Sequence, residues 1–153
     1  MRILENRIPT PLIGLAIGVL MWWVAKQATA FAWPLPVPMT FPIILVALGF
    51  SIALSGVIAF RNARTTVNPL DPAKASALVS GGIYRWTRNP MYLGMLTVLC
   101  GWAIFLSNTL SLLPLPLFVL YISHFQITPE ERALRELFGA EFDAYCRRVR
   151  RWL

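Results

Sequence analysis

The chain has 153 residues, of which 57% are hydrophobic and 14% are charged, and its formal net charge is +7 at pH 7. This composition excludes an ordinary soluble domain and predicts a membrane protein. The basic residues lie between and after long apolar segments, so the expected partner of the charge is a membrane surface and not nucleic acid.

The first apolar segment covers residues 9–33. Basic residues precede it and Ala28-Thr29-Ala30 lies near its end, a pattern similar to a secretory signal with a small-residue cleavage site. Trp22 and Trp23 crowd the end of the run and oppose that interpretation. We therefore interpret the segment as a retained first membrane span.

Three further segments approach the roughly 20 apolar residues that a helix needs to cross a bilayer: residues 39–60, 91–107 and 109–125. A proline-rich turn at residues 34–38 separates the first two spans, and little more than Asn108 separates the last two. Each pair is therefore expected to form a helical hairpin. Pro114 and Pro116 are expected to kink or delay the fourth span.

The segment after the fourth span, residues 128–153, predicts an amphipathic helix with a possible break at Gly139. Its apolar residues recur mostly every three or four positions: Leu134, Leu137, Phe138, Phe142, Tyr145 and Val149. The basic ending RRVRRWL is expected to lie against anionic headgroups. The predicted fold class is thus all-α integral membrane, with about four transmembrane helices in two hairpins plus a C-terminal cytoplasmic amphipathic helix, in one domain over residues 1–153.

Lysine and arginine are concentrated before the first span, between the second and third spans, and after the fourth, with Lys26 as the exception. Cytoplasmic loops carry an excess of basic residues, so both termini are expected in the cytoplasm, at a bacterial inner membrane. Cys100 and Cys146 have neither disulfide nor metal-ligand spacing, so we expect free thiols and no metal site.

The motif GGIYRWTRNPMYLGM, residues 81–95, has two interpretations. In one, Tyr84, Trp86 and Tyr92 form an interfacial aromatic belt while Arg85 and Arg88 supply positive charge. In the other, the same residues form part of a binding site. The connection over residues 61–90 favours the second, because it is longer than a simple link between two helices requires.

Two further polar features have competing explanations. In ITPEERALRELFG, residues 127–139, Thr128 and Glu131 form a potential capping box with Pro129 at the first helical position, which leaves Glu130 unexplained. His124 lies near the cytoplasmic end of the fourth span, where an ionisable group suggests function, although a structural or solvated role is an equal alternative.

All three polar features are expected at one edge of the membrane. Basic and aromatic residues beside a helix N-terminus can hold a carboxylate, and paired glutamates can hold an amino group, ribose hydroxyls or a positive sulfonium. A zwitterionic cofactor that carries an adenosine requires all of these.

Two motifs resemble those of integral-membrane methyltransferases, a group that includes isoprenylcysteine carboxyl methyltransferase and the phospholipid N-methyltransferases. LVSGGIYRWTRNPMYLG, residues 78–94, is similar to the family pattern G-x-Y-x-x-x-R-H-P-x-Y-x-G, and EERALRELFGAEFDAYCRRV, residues 130–149, is similar to its E-E-x-x-L-x-x-x-F-G-x-x-Y-x-x-Y ending. Together they cover about a third of the chain.

The resemblance implies S-adenosylmethionine as cofactor and a lipophilic or lipid-linked methyl acceptor that enters from the bilayer. It implies a cofactor pocket made by residues 76–94 and 124–149. The residues expected to line or shape the pocket are Leu78, Val79, Tyr84, Arg88, Asn89, Pro90, Tyr92, Gly94, Glu130 and Glu131.

Three positions depart from the family pattern. Asn89 replaces the histidine of the R-H-P triplet, Ser76 stands where the isoprenylcysteine enzymes have another histidine, and Gln126 stands where they have an arginine shortly before the paired glutamates. An amide cannot orient a carboxylate as a guanidinium does. The residues expected to act on the acceptor are therefore Gln126 and His124, with His124 as a possible general base for an amine.

Two other functions remain open from the sequence. One is an NADPH-dependent membrane reductase, because sterol reductases resemble this family in their C-terminal spans. The other is a non-catalytic membrane module, in which the motifs serve only as helix caps and interfacial belts.

Overall fold

The computed structural model describes residues 8–33, 38–63 and 77–153. In these ranges the chain is helical, and the only β feature is an isolated bridge between Ala32 and Asn108. The described helices are α1 Thr10–Gln27, α2 Thr40–Asn62, α3 Pro90–Leu106, α4 Pro114–Ile122 and α5 Thr128–Arg148. Several residues with predicted roles lie outside the described ranges: residues 34–37 of the proline-rich turn, Ser76, and the basic residues Arg2, Arg7, Arg64 and Lys74.

The helices confirm an all-helical protein with three to four helices that can cross a membrane. Helices α1 and α2 are long and apolar enough, as is the continuous run Thr109–Arg148, whose apolar part precedes α5. Helix α3 has 17 residues, which is near the shortest length, about 17 residues, that spans the hydrocarbon core.

Helix α4 begins at Pro114 and not at residue 109 as predicted, because Thr109–Leu112 forms a 3₁₀ turn. Proline suits the first helical position, where its missing N–H would have no acceptor. Pro116 lies in the same first turn, so the two prolines delay the helix. The helix then continues beyond the predicted end at Phe125, through a π turn at Ser123–Ile127, into α5.

The closest helix packing joins α2 to α3. A Cβ atom added to Gly94 would lie 2.4 Å from the Gly49 carbonyl oxygen, and one added to Gly49 would lie 2.5 Å from the Gly94 carbonyl oxygen. Small residues let two membrane helices approach this closely. Helix α1 packs against α3 and α4, so the expected hairpin of the first two spans is not confirmed.

Asn108 joins the turns at the end of the bundle farthest from α5. Its side chain is buried, donates a hydrogen bond to the Ala28 carbonyl at 2.7 Å and accepts one from the Leu110 N–H at 3.0 Å. Trp33 donates a further backbone bond to Ser107 at 3.0 Å. These bonds hold the end of α1 against the α3–α4 connection.

Helix α5 changes direction at Gly139, whose φ of 48° and ψ of −123° are not helical. This confirms the break expected there. After it, Phe142 and Tyr145 are buried against Tyr84 in a second hydrophobic cluster. The C-terminal part of α5 therefore folds onto the turn before α3, and these elements together form the polar end of the bundle.

The predicted capping box at Thr128 is wrong. Because the helix is continuous through the π turn, the Thr128 hydroxyl donates to the Ser123 carbonyl at 2.8 Å, and no side chain in the described ranges caps the start of α5. Glu131 is consequently free of the capping role and forms ion pairs with two arginines.

Candidate functional site

A cavity at the polar end lies between the end of α2, residues 77–89, the start of α3 and helix α5. It collects most of the residues that the two sequence motifs predict: Leu78, Val79, Tyr84, Arg88, Asn89, Tyr92, Glu130 and Glu131. Its other walls are mostly apolar and aromatic, and they include Phe60, Met91, Leu134, Phe142 and Tyr145. We call this the polar cavity.

Glu131 is the centre of an ion cluster in the polar cavity. Arg88 Nη2 lies 3.1 Å from Glu131 Oε1. Arg151 approaches both carboxylate oxygens, with Nε 3.2 Å from Oε1 and Nη2 2.5 Å from Oε2. Since the Arg88 and Glu131 side chains are only 14% and 13% exposed, water screens this pair less than it screens a surface pair.

The Arg88 guanidinium also has an N–H donor without a partner among the described residues. One of its terminal nitrogens contacts the Cys146 sulfur, while its Nε is buried and has no hydrogen-bond partner among the described residues. A buried N–H without a partner is costly. An added acceptor in the cavity would relieve this cost.

Glu130 faces the cavity from the first turn of α5 and accepts a hydrogen bond from the Tyr92 hydroxyl. The glutamates therefore have different partners, a phenol for Glu130 and two guanidinium groups for Glu131. Two neighbouring carboxylates with different partners can serve different groups of one ligand.

Tyr84 lines the polar cavity and contacts the C-terminal part of α5. Its ring meets Phe60 edge to face at 5.4 Å, and its carbonyl accepts a hydrogen bond from the Tyr145 hydroxyl at 2.8 Å. Burial raises the pKa of Tyr84 far above its usual range, and the neighbouring Tyr145 and Glu130 raise it further. Tyr84 is therefore a neutral phenol at every physiological pH.

The turn before α3 is held by Thr87, which is fully buried. The Asn89 N–H donates to the Thr87 hydroxyl oxygen at 3.1 Å. The Asn89 side chain donates to the Arg151 carbonyl at 2.8 Å. Pro90 then occupies the first position of α3, so Asn89 lines the cavity and also ties the C-terminus of the chain to it.

Four of the sequence-predicted site residues lie elsewhere. Within the described part of the chain, the cavity lining does not include Pro90, Gly94, His124 or Gln126. Pro90 is buried at the start of α3, and Gly94 contacts α2. His124 is exposed and packs edge to face on Phe125.

Gln126 is fully buried near the start of α1. Its Nε2 donates to the Ile8 carbonyl at 3.1 Å, and its Oε1 has no hydrogen-bond partner among the described residues. The structure thus gives Gln126 a contact with the chain that precedes α1, and it does not bring Gln126 and His124 together at the polar cavity.

Two polar residues that support the site, Thr87 and Arg151, were not predicted as site residues from the sequence. Thr87 lies in a motif whose arginines were the stronger candidates for function. A threonine two residues before an asparagine is nevertheless compatible with a local side-chain turn. Arg151 is one of four arginines in RRVRRWL, and nothing in that sequence distinguishes it from Arg150.

An apolar groove of about 620 Å³ runs between α1 and α2, with α3 as its floor. Its lining extends along α1 from Pro11 to Trp22, about 16 Å at 1.5 Å per residue. Met91 lines both this groove and the polar cavity. The polar and apolar sites therefore meet at the first turn of α3.

Comparison with known proteins gives a family match over most of the chain. The family model described as phospholipid methyltransferase matches residues 37–141, which include the polar cavity residues of α3 and the paired glutamates. No solved structure matches the chain.

Several curated proteins are also similar. An uncharacterized protein of Haemophilus influenzae is 44% identical over 63 residues, which are 41% of this chain and all of that protein. The protein-S-isoprenylcysteine O-methyltransferase of Saccharomyces cerevisiae is 37% identical over 47% of this chain and 30% of its own length. Protein-S-isoprenylcysteine O-methyltransferase A of Arabidopsis thaliana is 25% identical over 84% of this chain and 58% of its own length. The matches thus span between 30% and 58% of the length of these named enzymes.

Proposed function

The chain belongs to the phospholipid methyltransferase family, and on that premise we propose that it transfers a methyl group from S-adenosylmethionine to a lipophilic acceptor. The observation that carries the proposal is the junction at Met91 between a charged, aromatic cavity and an apolar groove. Such a junction suits a reaction between a polar donor from the aqueous phase and an acceptor dissolved in the bilayer.

The residues of the polar cavity fit the chemistry of this cofactor. Glu130 and Glu131 offer carboxyl groups to an amino group or to ribose hydroxyls. The Nε of Arg88, which has no hydrogen-bond partner among the described residues, offers a donor to a carboxylate. Leu134 and Phe142 provide apolar surface for a purine ring.

The enclosed space of the cavity is about 90 Å³, below the roughly 300–1,000 Å³ of typical ligand pockets. Binding a nucleoside therefore requires the surrounding side chains to separate.

The bound cofactor supplies a methyl group on a positively charged sulfonium. The chain's own residues need to align the acceptor, exclude water and provide a suitable field. The apolar side chains around Met91 exclude water at the junction, and Tyr92 holds the Glu130 carboxylate at the same turn of α3. These tasks need neither a metal nor a covalent enzyme intermediate.

The charge distribution supports a cytoplasmic position for the polar cavity. Arg61 at the end of α2, Arg85 and Arg88 before α3, and the arginines of α5 all lie at the polar end, whereas Lys26 is the basic residue described at the other end. This asymmetry matches the excess of basic residues in cytoplasmic loops.

Titration of S-adenosylhomocysteine into the purified protein in detergent tests the proposed function. We expect saturable binding by calorimetry and a raised thermal unfolding midpoint, because a ligand that binds only the folded state stabilises it. Stabilisation by NADPH without any response to S-adenosylhomocysteine would instead support a reductase. If the protein is well folded and binds neither ligand, the result would support a non-catalytic membrane module.

Enlarging Gly18 tests the apolar groove as the acceptor site. Among the described residues, the atom nearest to a Cβ added at Gly18 belongs to Leu99, at 3.8 Å, so Gly18→Leu should place its side chain in the groove without separating the helices. We expect unchanged affinity for S-adenosylhomocysteine and a methyl-transfer rate to long-chain prenyl or acyl acceptors that is lower by at least about tenfold, because a single methylene group in a hydrophobic pocket changes specificity by about 10–200-fold.

Gly18→Ala is the matched control, because it leaves most of the groove open. If Gly18→Leu methylates long- and short-chain acceptors in the wild-type ratio, the groove does not hold the acceptor.

A further inference from the structure

The last residues of the chain return to the polar cavity. Helix α5 ends at Arg148, and Val149 is extended, with φ −124° and ψ 132°. The Val149 side chain is 8% exposed and packs in the same cluster as Tyr84 and Tyr145. The extended backbone sends residues 150–152 back past the turn that precedes α3.

Main-chain atoms of this tail hold that turn. The Arg88 N–H donates to the Arg150 carbonyl at 3.0 Å, and the Asn89 side chain donates to the Arg151 carbonyl at 2.8 Å. Beyond them, the Trp152 indole N–H donates to the Ser123 hydroxyl at 3.2 Å. The tail therefore connects the start of α3 with the π turn, independently of its charged side chains.

The Arg151 side chain makes a separate contact, with Glu131. It forms a two-point contact with the Glu131 carboxylate, while Arg88 approaches the same carboxylate from the turn before α3. A paired guanidinium–carboxylate contact fixes orientation as well as distance. Arg88 alone cannot supply this constraint, because its own guanidinium is divided between Glu131 and Cys146.

We propose that Arg151 is a positioning residue, which fixes the Glu131 carboxylate in the orientation that the cofactor meets. This inference rests on the proposed function. Arg151 is absent from the described lining of the polar cavity, so it acts through Glu131 and not by direct contact with the cofactor.

Substitution of Arg151 tests this role. We expect Arg151→Met to weaken binding of S-adenosylhomocysteine in detergent about tenfold, the effect of losing one charge-assisted partner of a ligand-binding carboxylate. Arg151→Lys should give an intermediate affinity, because an ammonium keeps the charge and loses the two-point geometry. Arg150→Gln is the matched control, since its side chain is exposed in the same tail, and it should bind like the wild type.

Hydrogen exchange at the Arg88 amide shows whether the tail stays in place, because that amide donates to the Arg150 carbonyl. We expect wild-type protection in Arg151→Met and reduced protection when residues 150–153 are deleted. Wild-type or tighter affinity in Arg151→Met would overturn the proposal, and so would weaker binding accompanied by loss of Arg88 protection. If the wild-type protein binds no S-adenosylhomocysteine, the proposed function fails first and this inference with it.

Discussion

Replacing Glu131 by alanine is expected to weaken binding of S-adenosylhomocysteine about 100-fold. Hydrogen bonds to a charged group contribute about 1.5–3 kcal/mol each, and each 1.4 kcal/mol changes an affinity about tenfold. The substitution removes the carboxylate offered to the ligand. It also leaves Arg88 and Arg151 as neighbouring cations without their shared partner.

Calorimetry in detergent measures this effect, and Glu136→Ala supplies the control. Glu136 is exposed on the same helix, so its removal changes the net charge equally and should leave the affinity unchanged. A monodisperse Glu131→Ala protein with wild-type affinity would exclude Glu131 from the cofactor site. Equal weakening in both variants would indicate a general effect of net charge.

Adding one methyl group at Gly94 is expected to destabilise the protein. The new Cβ atom would lie 2.4 Å from the Gly49 carbonyl oxygen and 2.7 Å from the Ala53 nitrogen. Both are backbone atoms, so they cannot rotate away and the helices must separate. Overpacking of this kind costs about 1–3 kcal/mol, against a gain of about 1 kcal/mol from replacing a helical glycine by alanine.

Thermal unfolding in detergent compares Gly94→Ala with Gly18→Ala. The second variant has the same gain in helix propensity, but its Cβ atom makes ordinary contacts, of 3.8 Å and longer, with the described residues. We expect a lowered midpoint for Gly94→Ala and an unchanged or raised one for Gly18→Ala. If Gly94→Ala keeps its midpoint but loses affinity for S-adenosylhomocysteine, the sequence-based assignment of Gly94 to the cofactor site is favoured over a packing role.

The sequence predicted the polar cavity well because its two halves are local motifs. Tyr84, Arg88 and Tyr92 lie within nine residues, and Glu130 and Glu131 are adjacent. Two apolar segments lie between the halves, so the chain leaves and returns to the same end of the bundle. Local sequence and the count of spans were therefore enough to bring these side chains together.

The contacts between helices were not predictable in the same way. Helices α1 and α2 are apolar on every side, and a helix without a polar face carries no periodicity that selects its neighbours. The groove between them follows from the close contact of Gly49 with Gly94, which draws α2 to α3 and away from α1. Glycines in the sequence indicate that a close contact exists but do not identify its partner.

Arg151 illustrates a different limit. The sequence shows four arginines in RRVRRWL, and an exposed helix end with bound headgroups explained all four. The structure separates them because the helix ends at Arg148 and Val149 is extended. One change in backbone conformation directs Arg151 to Glu131 and leaves Arg150 exposed. No local sequence pattern predicts this change.

The π turn at Ser123–Ile127 affects how this chain can be aligned with its relatives. A π turn has i→i+5 hydrogen bonds and so contains about one residue more than an α-helical turn, which corresponds to roughly 100° around the helix axis. In a relative with a regular helix here, the residue that lies the same number of positions before the paired glutamates would be on a different face of the helix. Gln126 and the family arginine are therefore spatial equivalents only in chains that share the wide turn, and a sequence alignment without gaps can pair residues that point in different directions.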